Sequence, residues 1–287
     1  MNDTIGLFEK APVPQAVLKN AVPAMAAMLM VLIYNLADTF FIAQTRNDIL
    51  VAAVSLATPV FLIFMALGIV FGIGGTSVIS RSLGQGRTEH AKKVCSFCMW
   101  GCVTVGVAIS AVFLLLMEQI LELIGASADT WGPARTYLTI VALGGPFVLI
   151  SSCFSNILRA EGQPNKAMMG QILGNLLNVL LDPVLILGFR WGIAGAAIAT
   201  VAGNLAGAGY YLLHFLRGRS TLSIHIRDLS FRDGIGAGVL AIGIPASLGS
   251  LLMSLSQIII NARMAGYGDM ALAGIGVAMK VTMMTGM

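Results

Sequence analysis

Seven apolar runs of 20 or more residues, with the start of an eighth, dominate the chain. They cover approximately 17–43, 51–79, 93–117, 134–158, 167–188, 192–216 and 236–262, then 270 to the end. A helix needs about 20 apolar residues to cross the hydrocarbon core of a bilayer. Only helices and closed barrels satisfy their backbone hydrogen bonds there. Barrel strands alternate apolar and polar residues with a turn about every ten positions, and none of these runs does so. The sequence therefore predicts an all-α membrane protein, a helical bundle with about seven to eight transmembrane helices. Composition agrees: charged residues make up 10% and hydrophobic residues 57% of the 287, whereas soluble domains carry about 25% charged residues. The 33 glycines suit helices that approach one another closely in lipid. The first run is too long for a signal peptide and lacks a small-residue cleavage site, so it reads as a retained span.

The basic residues lie in short segments between the runs rather than along one stripe, so the pI of about 9.0 reflects membrane topology and not nucleic-acid binding. With the N-terminus in the cytoplasm, 12 Lys and Arg side chains fall inside: Lys10 and Lys19, the four from Arg81 to Lys93, Arg159 and Lys166, and the four from Arg217 to Arg232. Four fall outside (Arg46, Arg135, Arg190 and Arg263), and Lys280 lies within the eighth run. Cytoplasmic loops carry the excess of Lys and Arg, so the N-terminus is expected in the cytoplasm of a multi-pass protein of the cytoplasmic membrane.

The most polar internal stretch follows the sixth run. It divides the chain into a six-helix lobe at 1–216, a cytoplasmic linker at 217–235 and the start of a second lobe at 236–287. Val22-Pro23-Ala24-Met25 is echoed by Ile244-Pro245-Ala246-Ser247, and about 25 residues after each proline an acid, Asp48 or Asp269, precedes a small-residue apolar run. Internal repeats are common in secondary transporters. Because Met287 falls inside the eighth run, the chain is expected to be truncated within its second repeat.

Only Asp38 and Asp182 sit deep within apolar runs. An ionised group at the bilayer centre costs about 2.5–3.5 kcal/mol or more, and such residues are usually paired or functional. Tyr34, Asn35 and Asp38 share one helical face, as do Asn178 and Asp182, and Thr200 with Asn204 on the next run. Pro183 has no N–H for the Val179 carbonyl, leaving a bend and an acceptor beside Asp182. Burial would raise a carboxyl pKa and make it a proton carrier. Alternatively, carboxylate, amide and hydroxyl oxygens together hold a hard cation such as Na⁺. A third reading is that the acids only brace helix packing.

Several motifs carry a family resemblance. Asn35-Leu36-Ala37-Asp38-Thr39-Phe40-Phe41-Ile42-Ala43 resembles the first-helix signature of the multidrug and toxic compound extrusion (MATE) exporters. Gly74 to Arg81 and Leu83-Gly84-Gln85-Gly86 resemble the second helix and its loop, and Arg159-Ala160-Glu161-Gly162-Gln163-Pro164 resembles the motif after the fourth. Asn178 to Pro183 and Trp191 to Thr200 resemble helices five and six. The likeness runs from about residue 15 to the end, and its aromatic and methionine detail resembles the MepA-like branch. It implies two six-helix lobes around a cavity that opens to alternate sides, exporting cationic, amphipathic drugs in exchange for Na⁺ or H⁺ as a monomer. It carries the family's cation-site positions over to Asp38, Asn178, Asp182 and Thr200, with Tyr34, Asn35 and Asn204 as cavity-lining candidates. The alternatives are a lipid-linked oligosaccharide flippase of the same superfamily, a membrane-embedded enzyme built on an Asp38–Asp182 dyad, and an inactive fragment of an exporter. A flippase needs interior cations for pyrophosphate, and none is clear in the first seven runs.

Other signals read as packing, and no resident cofactor or metal is expected. Cys95, Cys98 and Cys102 share a helical face, but with no histidine or fourth ligand they are small fillers rather than a metal site. Gly72, Gly74 and Gly75 lie within an apolar run and not in a phosphate-binding loop. Gly195, Ala199, Gly203 and Gly207, spaced by four, form a helix-contact ladder. The 16 methionines could form an adaptable drug surface, but filling gaps between helices is the stronger reading.

Overall fold

The computed structural model describes residues 13–45, 47–218, 220–231 and 234–285. Lys10, Arg46, Arg219 and Arg232, counted toward the orientation, lie outside those residues, as does the terminal Met287; the side chains of Lys19 and Lys280 are likewise not described. The elements are α1 (Val13–Ala43), α2 (Asp48–Gly84), α3 (Thr88–Leu115), α4 (Met117–Leu123), α5 (Ala128–Ala160), α6 (Pro164–Asp182), α7 (Gly192–Leu216), α8 (Ile235–Ala265) and α9 (Asp269–Thr285). A π-helical segment, Pro183–Gly188, continues α6, and a 3₁₀ turn, Ile226–Asp228, interrupts the connection to α8. Among the described residues seven segments are long and apolar enough to cross a membrane: α1, α2, α3, α5, α6 with its π segment, α7 and α8.

Most helices outrun their apolar cores because polar residues start and finish them. Asn47 caps α2 by accepting from the Ile49 amide at 3.1 Å, and Asp48 adds negative charge at the positive end of the helix dipole. Ser127 and Thr130 form a reciprocal capping box at the start of α5, which supplies two otherwise orphaned amides. The sequence reading missed α4. Its Glu118 and Glu122 read as loop, yet Met117 and Leu121, four apart, are buried and pin this short amphipathic turn to the bundle.

α2 and α5 form the centre, with α3, α7 and α8 packed around them. Buried Phe64, Leu56, Ile79, Leu138, Leu149 and Phe154 fill the space between. All four cysteines are buried and unpaired by disulfides; Cys98 directs its thiol at the Phe71 carbonyl, 3.4 Å away. On α1, Leu18, Val22, Met25, Leu29, Ile33, Leu36 and Phe40 are exposed at helical spacing while Ala27, Asp38 and Ile42 are buried. A wholly apolar exposed stripe is stable only against lipid or another apolar surface.

Small residues set the helix spacing, as the ladder on α7 predicts. A methyl group on Gly203 would meet the Gly174 carbonyl oxygen at 2.6 Å, and one on Gly195 would meet Leu185 at 2.9 Å. Along α2 and α8, Gly74 lies against the Val239 carbonyl and Gly243 against the Val70 carbonyl, too close for any side chain. α1 and α8 are each 31 residues long, with Pro23 and Pro245 at matching depth.

The connection between α7 and α8 is held down on the bundle. One carboxylate oxygen of Glu161, Oε1, accepts from the Thr221 amide at 2.6 Å, the Ser220 hydroxyl at 2.7 Å and the Thr221 hydroxyl at 2.9 Å. Ser96 of α3 donates to the His225 carbonyl at 2.7 Å, and Phe231 meets Phe97 edge-on at 5.7 Å.

Candidate functional site

The polar residues singled out in the first, fifth and sixth apolar runs converge where α1, α6 and α7 meet α5. Asp38 is 6% exposed, Asn178 2%, Asp182 0% and Thr200 3%. Neither acid faces the outer apolar surface. In a low-dielectric interior such groups persist only with compensating charge or hydrogen bonds.

Local structure explains the convergence. Asn178 and Asp182 lie on one face of α6, one turn apart. Asn178 Nδ2 donates to the Thr200 hydroxyl across 3.4 Å, linking α6 to α7. That approach depends on Gly203, one turn beyond Thr200: a Cβ there would lie 3.2 Å from the Asn178 Cβ. Pro183 ends the regular α-helical bonding, and the chain widens into a π turn in which the Phe189 amide bonds the Val184 carbonyl at 2.8 Å. Such π turns often occur at functional sites.

Two tyrosines complete the cluster. The Tyr34 and Tyr137 phenols lie near the Thr200 hydroxyl, and the carboxylates of Asp38 and Asp182 are near enough to act electrostatically on both rings. Four helices thus contribute: Tyr34 and Asp38 from α1, Tyr137 from α5, Asn178 and Asp182 from α6, and Thr200 from α7. The Asn178 Oδ1 atom is buried without a hydrogen-bond partner. It is an acceptor held ready among oxygens, the donor set suited to a hard cation.

Tyr137 is the residue that sequence reasoning passed over. It lies near the start of its apolar run, where a tyrosine reads as a membrane-interface anchor. The available signal was its spacing of three and four from Ala134 and Val141, both fully buried, which marks the inward face of α5. Asn35 and Asn204 behave differently from the core of the site. Each is half-buried and turns its amide back on its own helix, Asn35 to the Val31 carbonyl at 2.9 Å and Asn204 to the Thr200 carbonyl at 2.9 Å. Among the described residues no group of three or more His, Cys, Asp or Glu side chains is arranged to hold a metal.

A bundle of membrane-length helices enclosing a carboxylate–amide–hydroxyl cluster defines a multi-pass, all-α membrane protein with a polar site buried between its helices. The MatE family model matches residues 23–184. The chain belongs to the multidrug and toxic compound extrusion family. It is 33% identical over 274 residues to the multidrug export protein MepA of Staphylococcus aureus, an alignment that takes in 96% of this chain and 61% of MepA. Among solved structures it resembles the MATE multidrug transporter DinF-BH in complex with R6G, with a TM-score of 0.87 at 35% identity over 94% of this chain and 61% of that one. An inward-facing MATE family transporter of the MOP superfamily gives a TM-score of 0.84 at 28% identity, over 92% and 61% of the two chains. The chain thus spans about 61% of the length of the curated relatives it matches.

Proposed function

We propose that this chain forms the cation-coupling lobe, with part of the second lobe, of an antiporter that exports cationic amphipathic compounds across the cytoplasmic membrane by alternating access. The observation that carries the reading is the sealed cluster of Asp38, Asn178, Asp182 and Thr200, which joins two intramembrane acids to an amide and a hydroxyl on three helices. A proton or Na⁺ taken up there neutralises buried charge and changes which packing of the helices is favoured. Each cation that moves inward with the membrane potential releases about 2.3 kcal/mol per 100 mV, available to drive a second solute outward. The multidrug export named for MepA supports the direction, and the basic residues within 217–235, 81–93 and 159–166 support a cytoplasmic N-terminus.

The reading is tested by accumulation of a fluorescent cationic dye in cells that express the chain. Lower accumulation than in control cells, abolished by Asp182→Asn at equal membrane abundance, is expected. Unchanged efflux by Asp182→Asn contradicts the mechanism, and no efflux by the parent chain contradicts transport by this chain alone.

A further inference from the structure

The contact between α2 and α8 contains a repair of α2 by α8. Pro59 lies inside α2 and has no N–H for the carbonyl of Ser55, four residues earlier. Asn261 of α8 supplies the missing donor: its Nδ2 reaches the Ser55 carbonyl at 3.0 Å. Two turns along α8, the Ser254 hydroxyl donates to the carbonyl of Pro59 itself at 2.8 Å. Asn261 is 0% exposed and Ser254 2%, so neither bond exchanges readily with water. The same turn of α2 is pressed from α9, where Gly276 lies against the Ser55 hydroxyl.

We propose that these two hydrogen bonds are a latch holding α8 and α9 against α2, and that Asn261 is a positioning residue whose release from Ser55 lets the two halves separate during alternating access. This rests on the alternating-access reading but not on which cation drives it. The defect in α2 explains why the latch is specific. A regular helix turn would use the Ser55 carbonyl for its own N–H, whereas the Pro59 turn keeps it for Asn261; the Pro59 carbonyl, with the Ile63 amide four residues on, takes Ser254 as a second donor. The bond is available only while α8 is seated, so its loss exposes an unpaired carbonyl that favours reclosure.

The donor and the acceptor of the latch can be removed separately and together. Val54 lines a small cavity between α1, α2 and α9 and is 5% exposed, so Val54→Cys reports opening of this seam, and the native cysteines, all buried, give a low background. Membrane fragments with both faces accessible are labelled with a hydrophilic maleimide. Adding Asn261→Leu is expected to raise the Val54→Cys labelling rate about tenfold, the factor implied by loss of one buried hydrogen bond. Pro59→Ala in the Val54→Cys protein, which gives the Ser55 carbonyl back to the α2 ladder and so takes the acceptor from Asn261, is expected to raise the rate comparably, and adding Asn261→Leu to it is expected to raise the rate no further. Unchanged labelling with Asn261→Leu, or an effect of Asn261→Leu as large with Pro59→Ala as without it, overturns the proposal. Should Asn261→Leu fail to reach the membrane, Ser254→Ala carries the test, and an unchanged rate there overturns it too. Because labelling follows opening and not dye movement or cation binding, failure of the latch is distinguishable from failure of the antiport reading.

Discussion

Asn178 and Thr200 meet across the α6–α7 interface with 3.4 Å between amide nitrogen and hydroxyl oxygen. The contact fixes two of the proposed ligands relative to each other. It also leaves Asn178 Oδ1, the better oxygen for a cation, without a protein donor.

Thr200→Val keeps the shape of the side chain and removes the hydroxyl that Asn178 reaches and that both tyrosines approach. Leaving a buried amide without its partner costs about 1–3 kcal/mol. The variant is expected to unfold at lower temperature in detergent than the parent and to bind the coupling cation more weakly, whereas Thr200→Ser stays near the parent on both counts. Thermal unfolding followed by circular dichroism, with and without the cation, checks this.

Gly203 sets how closely α7 approaches α6. A Cβ there would collide with the backbone at Gly174, 2.6 Å away, and backbone cannot rotate aside. Gly203→Ala is expected to destabilise by about 1–3 kcal/mol, the range for overpacking, and to weaken cation binding by parting Asn178 from Thr200. Gly209, on the same helix, has nothing within 4 Å of its would-be Cβ, so Gly209→Ala is expected to be neutral. Parallel thermal melts of the two variants make the comparison.

Tyr137 tests the residue the sequence did not reveal. Tyr137→Phe keeps the buried ring and deletes the phenol near Thr200. Little change in stability, about 1 kcal/mol or less, is expected together with a measurable fall in cation affinity. Unaltered affinity would assign Tyr137 to packing alone.

Glu161 anchors the α7–α8 connection through three donors on Ser220 and Thr221. Glu161→Ala removes all three bonds and is expected to raise the rate of limited proteolysis within 217–231 several-fold while α1 to α7 stay intact. Glu161→Gln, which retains an acceptor oxygen, is expected to fall between the two.

The spans were legible because their signal is length: about 20 apolar residues leave few alternatives to a membrane helix. The acids Asp38 and Asp182 were legible because a charge in an apolar run is costly enough to stand out. The contact role of Gly195, Gly203 and Gly207 followed from spacing alone. What stayed hidden depended on partners distant in sequence. Ser254 and Asn261 look like stray polar residues in an apolar helix until Ser55 and Pro59, about 200 positions earlier, are placed beside them. Tyr137 looks like an interfacial anchor until α5 is set against α1 and α7. The α4 turn was lost because two glutamates masked a buried pair of only four residues' spacing.

The most direct measurement is cation binding to the purified chain, which requires no substrate and no transport. Saturable ²²Na⁺ binding, or proton uptake by the purified chain in weakly buffered solution, is expected, and Asp182→Asn is expected to abolish it. Binding of neither cation, or binding undiminished by Asp182→Asn, would contradict the assignment of these buried acids as the coupling site.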